Sequence, residues 1–203
     1  MAEGRRQSPR AWTVLESRYS FVDPWIRLRS DTLLLPNGHV EARCHILEYP
    51  DWADVIALTV DLNIVLVDQY RHSVGQTRTE LPAGVVDDGE EPLAAIKREL
   101  LEETGYASAN WHLIGTAPVN PARQTNRIHS FLALDARKVA EQNLDEGEII
   151  RAYELPWSEF VAQVETGGIE LPALQLAGLY LLQTYARRSA DPRLAALLSS
   201  RAE

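Results

Sequence analysis

The sequence predicts a mixed α/β (α+β) fold in which a mixed sheet packs with helices behind an N-terminal antiparallel β segment. Three observations carry that expectation. Residues 12–49 contain three β-like runs, WTVLESRY, WIRLRSDTLLL and VEARCHILEY. Two short aliphatic runs, DVIALTV and IVLVDQYR, follow at hairpin spacing. Helical stretches appear at 91–104 and again from residue 159 onward, with strand-like segments between them.

Taken in order, residues 1–10 are polar, lack periodicity and read as a loose tail. The second and third β runs are joined by Pro36-Asn37-Gly38, with glycine where a turn needs positive φ. Asp61-Leu62-Asn63 joins the two aliphatic runs, whose continuous apolar character suits strands buried on both faces. A Gly-rich acidic turn at 84–89 leads into a helix over 91–104, with Pro92 in its first turn and Gly105 just past its end. Leu93, Ile96 and Leu100 form a stripe that anchors this helix on the sheet. Strands return at WHLIGT (111–116), IHSFLAL (128–134) and IIRAYEL (149–155). Ser158 is the expected N-cap of a helix over 159–166, Gly167-Gly168 stops it, and 172–187 carries the next. The expected organisation is a tail at 1–10, a β segment at 11–50, a larger domain at 51–187 and a helical tail at 188–203.

Composition narrows the function classes. The 203 residues carry 29 acidic and 20 basic side chains, a formal net charge of −9. General binding to nucleic acid or to an anionic membrane leaves a basic footprint, which this chain lacks. The positive charges are almost all arginine, with Lys97 and Lys138 the two lysines, so planar forks suited to phosphate are available. A single cysteine, Cys44, excludes an internal disulfide framework and a cysteine-rich metal site. No apolar run approaches a membrane span, and Arg5-Arg6 is not followed by a signal-peptide core, so a reducing, cytoplasmic location is expected.

The informative segment is GVVDDGEEPLAAIKRELLEETGY, from Gly84 to Tyr106. On a helix, Glu99, Glu102 and Glu103 stand at i, i+3 and i+4, so three like charges crowd one face. A divalent cation turns that repulsion into attraction. Oxygen donors without cysteine or a histidine pair suit Mg²⁺, with Mn²⁺ as the substitute, rather than zinc. The segment also fits Gly-x5-Glu-x7-Arg-Glu-U-x-Glu-Glu-x-Gly-U, where U is a bulky apolar residue. Gly84, Glu90, Arg98, Glu99, Leu100, Glu102, Glu103, Gly105 and Tyr106 fill it, with Tyr106 departing mildly from an aliphatic residue. At ordinary residue frequencies a chance match is about one in 10⁸ per start site.

That pattern is the Nudix box, and the chain resembles the Nudix hydrolases. The resemblance implies an α/β/α sandwich and Mg²⁺-dependent hydrolysis of a nucleoside diphosphate linked to another group. It implies Glu99 and Glu103 as primary metal ligands, Glu102 as a further ligand, Arg98 as the residue that orients them, and a structural Glu90. The run DQYRHSVGQTRTELPAG (68–84), the LPNGH turn and Pro121 are similar to the ADP-ribose pyrophosphatase branch. From that branch come a metal-binding carbonyl at Ala83, and phosphate or sugar contacts from Arg71 and, more weakly, Arg78. The same resemblance makes Glu146 the general base and Glu148 a further metal ligand, both in the acidic loop Asp145-Glu146-Gly147-Glu148. It also implies a homodimer built through the N-terminal β segment, in which Phe21, Trp25 and Arg43 would frame a base, though core or interface packing suits the two aromatics better. Where the branch carries Ser-Pro-Gly, this chain reads Asn120-Pro121-Ala122-Arg123, which makes Arg123 a candidate for setting the substrate.

ADP-ribose is therefore the leading substrate expected. The alternatives are another nucleotide, such as a GDP- or UDP-sugar, NADH or a dinucleoside polyphosphate, and a non-catalytic nucleotide-sensing domain. An intact box argues against the last.

Overall fold

A computed structural model describes residues 11–199; the expected tail at 1–10 and the last four residues lie outside the described range. The chain divides into two compact units. One comprises the residues up to Tyr49 together with Val119–Asn126, and the other comprises Pro50–Pro118 and the chain from Arg127 onward.

The first unit is a three-stranded antiparallel sheet of β1 (Thr13–Val22), β2 (Arg27–Leu34) and β3 (Val40–Glu48), in that order. Gly38, at φ 85°, closes the turn between β2 and β3. Polar side chains tie the sheet together. The Ser17 hydroxyl donates to Asp31 at 2.7 Å, and Arg29 pairs with both Asp31 and Glu48. Every residue of β1 is exposed. Phe21 and Trp25 are exposed as well, Trp25 at 77%, which removes core packing within this chain as their role. The segment Val119–Asn126 runs beside β3, where the Leu47 amide donates to the Arg123 carbonyl at 2.7 Å and the Thr125 amide to the Leu47 carbonyl at 3.2 Å.

The second unit contains β4 (Trp52–Thr59), β5 (Asn63–Arg71), β6 (Gln76–Glu80), β7 (Ala83–Val85), α1 (Pro92–Thr104), β8 (Tyr106–Ala107), β9 (Asn110–Pro118), β10 (Arg127–Lys138) and β11 (Ile150–Pro156). Three further helices end it: α2 (Trp157–Thr166), α3 (Ala173–Ala186) and α4 (Pro192–Ser199). The sheet is mixed, in the order β11-β5-β4-β10-β8, with β6 on β5, β7 on β4 and β9 on β10. Among the described residues, only the β4–β10 pairing of this sheet is parallel. The continuous apolar run of β4 is explained by its two faces. Ala53, Val55 and Ala57 pack with Ala95, Ile96 and Leu100 of α1, whereas Ile56 and Leu58 pack with Phe160 of α2, Leu182 of α3 and Leu194 of α4. Helices thus cover both faces, and full burial of Ile96 or Leu100 contributes about 2 kcal/mol each.

Local signals placed most boundaries, and tertiary contacts moved several. Leu93, expected on the buried stripe of α1, is exposed, and Ala95 takes its place against the sheet. Ser158 does not cap α2. The helix begins at Trp157 directly from β11, and the Trp157 amide finds the Leu62 carbonyl at 3.1 Å instead of a side chain. Leu62 itself sits at φ 58° in the β4–β5 turn, a conformation its side chain does not favour. Residues 84–85, expected in a turn, form part of β7. β10 runs past its expected end through an irregularity where Asp135 adopts φ 57°. Gly105 ends α1 at φ 74°, and a Cβ there would lie 2.1 Å from the Ala140 carbonyl oxygen, so both backbone shape and packing demand glycine.

Candidate active site

The site is built on α1 where it crosses β7. Burying the Ile96–Leu100 stripe against the sheet turns the next face of the helix toward Ala83 and Gly84. Glu103 is 95% buried, and its carboxylate accepts a hydrogen bond from the Ala83 amide at 3.1 Å. Glu99 lies against Gly84, so closely that a Cβ at residue 84 would stand 2.1 Å from the Glu99 carboxyl carbon. The glycine that opens the box therefore makes room for a carboxylate.

Burial raises the pKa of Glu103 to about 8, with the Glu99 charge adding to the effect and the Ala83 amide opposing it. Glu99 is shifted upward for the same reason, against the pull of Arg98. Because Glu103 holds its proton in the folded state far above the ordinary glutamate value of 4.5, ionising it opposes folding. The metal-free protein should therefore melt at progressively lower temperature as pH rises from about 5 to about 8. Asp54, fully buried on the opposite sheet face and pushed up to about 7 by burial, acts in the same direction. The Glu103→Gln variant isolates the Glu103 share: its melting temperature in chelator should fall less steeply over that range. Parallel slopes for the two proteins would contradict the assignment.

Arg98 gathers the remaining box carboxylates. Its guanidinium donates to Glu99 at 2.9 Å, Glu102 at 3.1 Å, Glu90 at 3.2 Å and the Val85 carbonyl at 3.4 Å. These bonds, that to Glu90 first, hold its pKa above the ordinary value. One arginine thus links the loop before α1 to two glutamates on it. Tyr106, the departure from an aliphatic residue, buries its ring and donates its hydroxyl to Glu154 of β11 at 2.5 Å.

Beyond the helix, Arg71 at the end of β5 forms a two-pronged pair with the buried Glu80 of β6, at 2.9 and 2.6 Å. The charges of Glu103 and Glu148 act on it and help raise its pKa. Glu80 escaped notice in the sequence. Register gives no signal for it, since Glu80 stands opposite Val67 and Arg71 opposite Gln76. Arg78 pairs with the exposed Glu170. Glu148 adds its charge to Glu99 and Glu103, and its carboxylate accepts from the Asp145 amide at 3.3 Å. Glu146 is exposed on that loop, and Arg123 is exposed within the first unit.

The donors suit a hard divalent cation: oxygen ligands, with the Glu103 carboxyl pKa raised to about 8 by burial, Glu99 shifted in the same direction, and no sulfur. The five proposed donors do not already form a closed cage. Among the described residues no three acidic, histidine or cysteine side chains stand close enough to hold an ion, and Arg98 draws Glu99 and Glu102 toward itself.

The chain is similar to known proteins in sequence and in fold. Residues 50–175 match the NUDIX domain, and residues 12–43 match the nucleoside diphosphate sugar hydrolase N-terminal domain. The methanol dehydrogenase activator of Bacillus methanolicus is 33% identical over 141 residues, covering 69% of this chain and 76% of that protein. The ADP-ribose pyrophosphatase of Bacillus subtilis (strain 168) is 33% identical over 142 residues, covering 70% and 76%. A crystal structure of an ADP compounds hydrolase superposes with a TM-score of 0.76 over 89% of this chain and 97% of that one, at 18% identity, which speaks to the fold alone. With its box intact on α1 and a family match across most of its length, the chain belongs to the Nudix hydrolases, on the branch that resembles the ADP-ribose pyrophosphatases.

Proposed function

We propose that this chain is a Mg²⁺-dependent pyrophosphohydrolase of nucleoside diphosphate sugars, with ADP-ribose cleaved to AMP and ribose 5-phosphate as the leading reaction. The observation that carries the reading is the buried Glu103 carboxylate beside Glu99 at Gly84, within reach of the Arg71 charge. An acidic pocket can hold an anionic diphosphate only through cations. Bound Mg²⁺ would neutralise the diphosphate and make a water more acidic. In this reading Glu99, Glu103 and the Ala83 carbonyl hold metal, and Glu102 and Glu148 complete the donor set. Arg98 orients the glutamates. Arg71, already fixed by Glu80, presents its remaining N–H groups to a phosphate. Glu146 takes the proton from the attacking water as one P–O bond of the anhydride breaks and the other phosphate leaves.

The N-terminal sheet supports a homodimer. Val14, Leu15, Tyr19 and Phe21 of β1 are all about half exposed, an apolar surface that a second copy of the chain would cover. In solution the mass should be twice the 22.8 kDa of one chain. No helix is long and apolar enough to cross a membrane among the described residues.

The test is a substrate panel of ADP-ribose, GDP- and UDP-sugars, NADH and dinucleoside polyphosphates, with Mg²⁺ or Mn²⁺ and product identification. AMP release from ADP-ribose at the highest kcat/KM supports the leading reaction. A faster GDP- or UDP-sugar moves the chain to another specificity. Tight binding without turnover of any nucleotide refutes the enzyme. Arg123→Gly should reorder the panel if Arg123 sets the substrate.

A further inference from the structure

The C-terminal end of α1 is closed by a segment far along the chain. After β10 the backbone turns back, and the amides of Val139 and Ala140 both donate to the Gly105 carbonyl, at 2.8 and 3.1 Å. The Asn143 amide donates to the Glu102 carbonyl at 2.9 Å. The Glu103 carbonyl is met by a side chain, the Gln142 amide nitrogen, at 2.5 Å. That same nitrogen donates its second hydrogen to the Ile150 carbonyl at 3.2 Å. Gln142 and Ile150 are the two feet of the acidic loop that carries Glu146 and Glu148. The loop is tightened from within, since the Glu148 amide donates to the Asp145 carbonyl at 2.9 Å.

One primary amide thus closes the base of the loop and fastens it to the residue that bears the most buried carboxylate of the site. We propose that Gln142 is a positioning residue, which sets Glu148 at its working distance from Glu99 and Glu103. The inference rests on the reading of Glu148 as a metal ligand. The chemistry is specific to the side chain. Only a donor with two N–H bonds on one atom, without charge, serves both carbonyls at this reach; glutamate would set an acceptor against two acceptors, and methionine would fill the volume and donate nothing.

The experiment uses the full chain and compares wild type, Gln142→Met, Glu148→Gln and the double variant. Two quantities are read: Mn²⁺ affinity of the chelator-stripped protein by calorimetry, and kcat and KM for ADP-ribose with Mg²⁺. Gln142→Met should weaken Mn²⁺ binding and lower kcat by about tenfold each, with KM little changed. In the Glu148→Gln background the same substitution should cost less than about twofold, because the loop then has no ligand to misplace. A purely structural cap would lower the melting temperature by the same amount in both backgrounds and leave Mn²⁺ affinity alone; that result, equal losses in both backgrounds, or wild-type values for Gln142→Met, overturns the inference. If Glu148→Gln by itself changes neither quantity, the metal reading of the loop fails first and the inference with it.

Discussion

Replacing Glu103 by glutamine should reduce turnover of the preferred nucleotide by about 10³-fold or more, with the fold retained. Glutamine matches the volume of the buried glutamate and keeps an oxygen for the Ala83 amide. It removes the charge that a divalent cation would meet. The same substitution should raise the melting temperature of the metal-free protein near pH 8, where wild-type Glu103, with its pKa of about 8, has begun to pay for ionisation in a buried setting. Added Mg²⁺ should stabilise wild type and leave the variant almost unchanged. Activity and stability therefore move in opposite directions, as expected of a group placed for a ligand rather than for the fold. Wild-type-like turnover in this variant would remove Glu103 from the site.

A second large effect is expected from Gly84→Ala. The added Cβ would lie 2.1–2.3 Å from Glu99 Cδ, Oε1 and Cγ, inside any real contact distance. The obstructing atoms are the far end of a flexible side chain, so the carboxylate moves rather than the backbone. Displacement of about 1 Å at a reacting centre costs on the order of 10² in rate. We expect a loss of that size in kcat/KM, a higher Mg²⁺ requirement and a melting temperature lowered by only a few degrees. Gly168→Ala, where no atom outside the local chain is nearer than 3.5 Å, serves as the control. If Gly84→Ala matches that control in turnover, Glu99 is not held where the reaction needs it.

Both expectations depend on a division of labour around α1. Arg98 binds the more accessible carboxylates of Glu99 and Glu102 and draws Glu90 in from the preceding loop. Glu103 has no basic partner in hydrogen-bond contact among the described residues, and burial raises its pKa to about 8. The repulsion visible in the spacing of the three glutamates is thus handled in two ways, by ion pairing at the surface and by proton retention in the interior.

Local sequence signals placed most of the elements and the residues that share a helix face, because a period of 3.6 residues and the turn chemistry of glycine and proline act locally. The box on α1, the turn at Gly38, the β4–β5 hairpin and the glycine stops at Gly105 and Gly167 were all legible this way. Only the packing of distant segments fixed how deeply each carboxylate is buried, and hence the large pKa shift of Glu103. It alone paired Arg71 with Glu80 and turned Arg78 toward Glu170. It replaced the expected cap at Ser158 with a backbone bond to Leu62, and it brought Gln142 to the end of a helix 39 residues earlier in the chain. Burial and long-range hydrogen bonds depend on where distant segments pack, which local periodicity does not encode.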